Sequence, residues 1–172
     1  GLALIAYEHG QYEQAEAFYL RSVSVVEMAL SPEASEIARS LTNLAILYKT
    51  QGKYSEAELL YQRAQRIWEQ NFGPDHLKVA YALINLADVY LEQGKYELVE
   101  SLCTRSLRIW TQAVGPHHSL IAYPLLTQAK LSTELGKDER AESLYQQALA
   151  IWEQALGIVH PLMTDALNGL AN

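Results

Sequence analysis

The chain has 172 residues, a formal net charge of −7 and an isoelectric point near 5.2; this balance argues against the basic face of a nucleic-acid binder and against the polybasic run that attracts an anionic membrane. No apolar stretch approaches the roughly 20 residues of a membrane-spanning helix. Cys103 is the lone cysteine, so no internal disulfide forms, and a single thiol fits a reducing, cytoplasmic setting.

Read from its first residue, the chain starts inside a pattern. Gly1-Leu2-Ala3 align with Asn43-Leu44-Ala45, and the alignment continues with a period of 42 residues. Gly10, Gly52, Gly94 and Gly136 hold one register, Glu16, Glu58, Glu100 and Glu142 another, Trp68, Trp110 and Trp152 a third, and His76, His118 and His160 a fourth. Self-similarity at such a period marks a repeat architecture. It divides the chain into units at residues 1–33, 34–75, 76–117 and 118–159, with a partial unit at 160–172. Neither end carries the polar outer face of a capping repeat, as expected of a piece cut from a longer array.

Residues 34–75 show one period in full. Ile37, Ala38, Leu41, Leu44, Ala45 and Tyr48 recur at helical steps and predict helix A. Gly52 stops it, as a residue free to take positive φ does. Tyr54, Ala57, Leu60, Tyr61, Ala64, Ile67 and Trp68 predict helix B. Gly73-Pro74-Asp75 ends that helix and opens the next, with Asp75 as the expected cap. Ala45 and Ala57 flank the turn, where a methyl lets two helix backbones approach closely, and the aromatic residues fill the layers. Cys103 takes a register held elsewhere by Tyr61 and Tyr145 and is expected in the core.

The fourth unit departs from the pattern. Thr127-Gln128-Ala129 replace Asn-Leu-Ala, Ser132 and Asp138 replace tyrosines, and looser packing is expected. Pro124 falls about one turn into helix A, where its missing N–H predicts a bend or a late start.

The histidines recur at the start of helix A, which predicts turn and cap packing. Equivalent residues lie a helix pair apart, too far to converge on one zinc ion. The recurring glutamates predict a structural role or a solvated face. No GxGxxG, Walker, GxSxG, CxxC or HExxH motif occurs, so neither cofactor nor catalysis is expected.

The segments LTNLAILYKTQGKYSEAELLYQRAQRIWEQNFGPDH and LINLADVYLEQGKYELVESLCTRSLRIWTQAVGPHH resemble the tetratricopeptide variant of kinesin light chains and of long bacterial arrays, and the IWEQ and GP-x-H wording is nearer the bacterial ones. WD40 blades have a similar period but are β-rich; HEAT and armadillo repeats do not predict this small–Gly–aromatic–small spacing. The resemblance implies an all-α fold: a right-handed superhelix, or α-solenoid, of antiparallel helix pairs, about four repeats with incomplete ones at both ends. It further implies a scaffold that binds a protein or extended peptide on the concave face lined by the A helices. The contact positions, carried over from the family, fall two residues before the A-helix leucine and one, two and five after it. These are Arg39, Thr42, Asn43 and Ile46; Tyr81, Ile84, Asn85 and Asp88; Tyr123, Leu126, Thr127 and Lys130; and, in the last partial helix, Asp165, Asn168 and Gly169. A carboxamide both donates and accepts, which suits Asn43 and Asn85 to an extended backbone; the competing role is a tie between neighbouring helices. Two other functions are compatible with the sequence: a sensor arm of a STAND-type signalling ATPase, and a spacer that self-associates end to end.

Overall fold

The computed structural model describes residues 2–29, 34–156 and 163–170, without the side chains of residues 156 and 165. Helix makes up 87% of the described residues and no strand occurs among them, which settles the all-α class. The helices are α1 (Leu2–Glu8), α2 (Tyr12–Ala29), α3 (Ser35–Thr50), α4 (Tyr54–Phe72), α5 (Leu77–Glu92), α6 (Tyr96–Val114), α7 (Ala122–Glu134), α8 (Asp138–Leu156) and α9 (Thr164–Leu170). Odd-numbered helices are the predicted A helices and even-numbered ones the B helices. They form two compact units, Gly1–Ala82 and Leu83–Asn172, and α5 runs through the boundary.

In the first unit the A–B turn follows from one glycine. Gly52 has φ of 72°, a left-handed conformation that costs other residues about 1–2 kcal/mol. This lets the Gly52 N–H reach Lys49 O at 3.0 Å and the Lys53 N–H reach Tyr48 O at 2.9 Å, so the last carbonyls of α3 are satisfied as the chain reverses. The turn is only three residues long, so α3 and α4 pack antiparallel, and Ala45 and Ala57 are both fully buried. Leu44 and Leu47 of α3 join Ala6, Ala15 and Tyr19 of the preceding pair in one core cluster.

The second unit repeats the device at Gly94 and Gly136. Cys103 is fully buried at the tyrosine register. Burial pushes its thiol well above the ordinary range, and the carboxylates of Asp88 and Glu100 add to this; it stays protonated and is no nucleophile. Pro124 gives a late start: Ser119–Ile121 form a 3-10 turn, and the α-helix begins at Ala122. Pro124 thus falls in the first turn, where its N–H is not needed. The expected looser packing is confined to the A–B turn, where Leu135 and Asp138 are exposed while Tyr54 and Tyr96, at the Asp138 register, are half-buried. Thr127, Gln128 and Ser132 are buried, and the Ser132 hydroxyl donates to Gln128 O at 2.8 Å.

The histidines at the helix-A starts act as caps, as their register suggested: Nδ1 of His76 and of His118 takes the backbone N–H two residues on, from Lys78 and Leu120, at 3.2 Å. His160 lies outside the described residues. Two of the recurring glutamates join repeats, while Glu58 and Glu142 accept from Gln62 and Gln146 of their own helices. Glu16 of α2 accepts from Tyr48 OH at 3.1 Å and pairs with Lys53 at 3.2 Å. Glu100 of α6 pairs with Arg140 at 2.5 Å, and this guanidinium holds its carboxyl below the usual range.

Candidate partner-binding face

The A helices position the predicted contact residues by their period. Residues two before, two after and five after the leucine share a helix face, because steps of three and four return to one side. In the first unit this face is open. Arg39 and Asn43 are exposed one turn apart on α3, Ile46 is half-buried, and Tyr81 is 40% exposed at the start of α5. Lys78 Nζ reaches Ser35 Oγ at 3.3 Å, which ties the starts of α5 and α3 together beside this face. Arg39 and Asn43 also line a cavity of about 600 Å³ with Tyr19, Ser22 and Ser40.

In the second unit the same positions are more enclosed. Asn85 and Asp88 are half-buried on α5. The Tyr123 ring stands at 61° to Trp110 and 80° to Trp152, with centroids 6.5 and 5.7 Å away, and burial raises its phenol pKa. Thr127 is buried, and Lys130 lines a cavity of about 470 Å³ with Glu92, Tyr96, Thr133 and Glu134.

One carried-over position is buried in all three helices. Thr42, Ile84 and Leu126, one residue after the leucine, are 2%, 5% and 8% exposed. Their residue types gave partial warning: two are large and aliphatic, and Thr42 turns its hydroxyl back to Ala38 O at 2.8 Å. In α9 the side chain of Asp165 lies outside the description. Gly169, at the asparagine register, lies against the buried ring of Tyr145, where a Cβ would come within 2.6 Å of both Cε atoms. Gly169→Ala is therefore expected to destabilise the chain by about 1–3 kcal/mol, even though alanine gains about 1 kcal/mol of helix propensity. A thermal midpoint that rises in this variant would show that the ring can step aside.

Among the described residues, no group of three His, Cys, Asp or Glu side chains could hold a metal ion, and no helix is long and apolar enough to cross a membrane.

Helix hairpins repeating at 42 residues, with recurring residues inside and variable ones along the A helices, define a helical-repeat scaffold. The chain belongs to the tetratricopeptide repeat family, whose model matches residues 1–70, 60–101 and 100–154. Among solved structures it is similar to BtubC (BKLC) from P. vanneervenii, at 23% identity and a TM-score of 0.81 over 98% of this chain and 67% of that one. It is also similar to a putative kinesin light chain of Podosopora anserina with nearly identical TPR-like repeats, at 22% identity and a TM-score of 0.77 over 99% of this chain and 81% of that one. A single-substitution variant of the latter protein gives 0.79 at 22% identity over 99% and 80%. At these identities the likeness is one of fold. No curated protein matches the chain. Tetratricopeptide repeats generally mediate protein–protein interactions, and the fold is typically a non-enzymatic scaffold.

Proposed function

We propose that the chain is a protein- or peptide-binding module that holds an extended segment of its partner along the A-helix face. The supporting observation is a contrast within single helices. On α3, Leu41, Leu44 and Ala45 recur with the period and are buried, whereas Arg39 and Asn43 on the same helix are exposed. A side chain that varies between repeats and faces solvent is available for recognition. Asn43 offers a donor and an acceptor to a peptide backbone, and Tyr81 offers a flat apolar area with a polar tip. A buried, non-nucleophilic thiol accords with a cytoplasmic place of work.

Each neutral hydrogen bond contributes only about 0.5–1.5 kcal/mol, so affinity needs several contacts in series. The double variant Asn43→Ala, Tyr81→Ala is expected to bind array-selected peptides roughly tenfold more weakly, with its thermal midpoint unchanged. Peptide-array binding that stays at the wild-type level would remove this face from consideration.

A further inference from the structure

We propose that the outer face of α2 and α4 is a second interaction surface, where Leu20, Met28 and Leu59, bordered by Arg21 and Arg66, receive an amphipathic helix of another protein whose apolar stripe is flanked by carboxylates. The surface lies on the B helices and does not rest on the A-helix reading above.

Comparison of three columns between repeats isolates it. At the register of Leu20 the later repeats carry Gln62, Thr104 and Gln146, and at that of Met28 they carry Gln70, Gln112 and Gln154. At that of Leu59 the other repeats carry Ala17, Ser101 and Ser143. The first two columns face water in a packed repeat: Gln146 and Gln154 are exposed although α8 packs against both α7 and α9. Stacking of repeats therefore does not cover these positions, and the exposure of Leu20 (47%), Met28 (79%) and Leu59 (66%) belongs to the face itself. Single exposed apolar residues are ordinary, whereas a group of them marks an interaction site.

The three are grouped. Leu20 and Met28 lie two turns apart on one side of α2, about 12 Å at 1.5 Å per residue. The Glu16–Lys53 pair at 3.2 Å and the Glu27–Arg63 pair at 2.7 Å hold α4 alongside, and Leu59 lies one turn before Arg63. Ala17 and Ser24, one turn either side of Leu20, are exposed and small. They leave hollows that suit the ridge of side chains on a second helix.

Charge selects the chemistry of that helix. The chain as a whole carries −7, but the balance reverses around these residues. Arg21 adjoins Leu20, Arg66 lies two turns after Leu59 on the same side, and both are exposed. Glu27 is taken up by Arg63, so arginines border the apolar residues on both helices. A second copy laid on the same face would set these arginines against their own kind, whereas a stripe flanked by Asp or Glu meets them with opposite charge.

The test is a displayed library of helices of 18 residues, the length of α2, with leucine fixed at helical spacing and the flanking positions drawn from Glu, Lys, Gln and Ala. It is selected on the whole chain. Enriched helices are expected to carry Glu in excess of Lys at the flanks. Leu20→Gln with Met28→Gln installs the residues of the second repeat, so the thermal midpoint is expected to stay unchanged while affinity falls by roughly tenfold or more. Arg21→Glu with Arg66→Glu is expected to weaken the same helices as strongly, and more so at low salt. No enrichment, enrichment without the acidic excess, or binding that both double variants leave intact would overturn the proposal. Helices lost instead in Asn43→Ala, Tyr81→Ala would belong to the A-helix face and also overturn it. Sedimentation with phosphatidylserine vesicles, or a mass that rises with concentration, abolished by Leu20→Gln with Met28→Gln, would overturn it by assigning the face to a lipid surface or to a second copy.

Discussion

Trp152→Ala is expected to lower the stability of the second unit by about 4 kcal/mol, within the range found for buried aromatic truncations. Three losses combine. The indole is 1% exposed, so its removal leaves a large cavity. Its Nε1–H donates to Ser119 O at 3.2 Å, and truncation removes this bond from the 3-10 turn that gives α7 its late start, leaving that carbonyl the Ala122 N–H alone. The Tyr123 ring, set nearly perpendicular at 80°, loses one of its two aromatic neighbours. Trp152→Phe would keep most of the area and lose the donor, so a smaller loss of about 1–2 kcal/mol is expected. Urea denaturation separates the two, and a Trp152→Ala loss below about 1 kcal/mol would contradict the packing described.

Leu47→Ala is expected to lower the stability of the first unit by about 3 kcal/mol. Leu47 is fully buried, in a cluster with Ala6, Ala15, Tyr19 and Leu44. The repeat supplies its own control. Ile5 has the same register one period earlier, yet is 52% exposed. Ile5→Ala removes a similar volume and is expected to change stability by no more than about 0.5 kcal/mol. Equal shifts in the two denaturation midpoints would mean that register, rather than burial, governs the loss.

The fold was legible because its causes recur. A glycine that must take positive φ, small residues where helices cross and aromatics between layers each repeat at 42 residues, so one unit read correctly gives the others. Cys103 followed from its column, and Pro124 from the chemistry of its ring. What escaped the reading depends on partners distant in sequence. Looser packing was expected of the fourth repeat from Thr127, Gln128, Ser132 and Asp138. It holds at the A–B turn, where Leu135 and Asp138 are exposed, but not on α7, where Thr127, Gln128 and Ser132 are buried with the two hydroxyls bonded within or across helices. The contact face was legible in register only. Period fixes which side of a helix a residue occupies, but the angle at which a neighbour crosses decides whether that side is open. Thr42, Ile84 and Leu126 are therefore covered, while Arg39 and Tyr81 are open.

The glutamates of the B helices have a consequence for alignment. Glu16 and Glu100 both reach into the next repeat, to Tyr48 and Lys53 in one case and to Arg140 in the other. As partly exposed pairs they add little stability, typically about 0–1 kcal/mol each. Their value lies in what a sliding error would encounter. Helices with near-uniform apolar stripes can shift by one turn, about 5.4 Å, and still bury leucine against alanine. Such a slip would set the Glu16 carboxylate against Leu44, one turn before Tyr48 on α3, and leave Lys53 without its counter-charge. A side chain that contributes little to the depth of the native well thus raises the energy of its nearest competitor, and Glu16 and Glu100 work as a vernier that keeps like repeats from settling out of step.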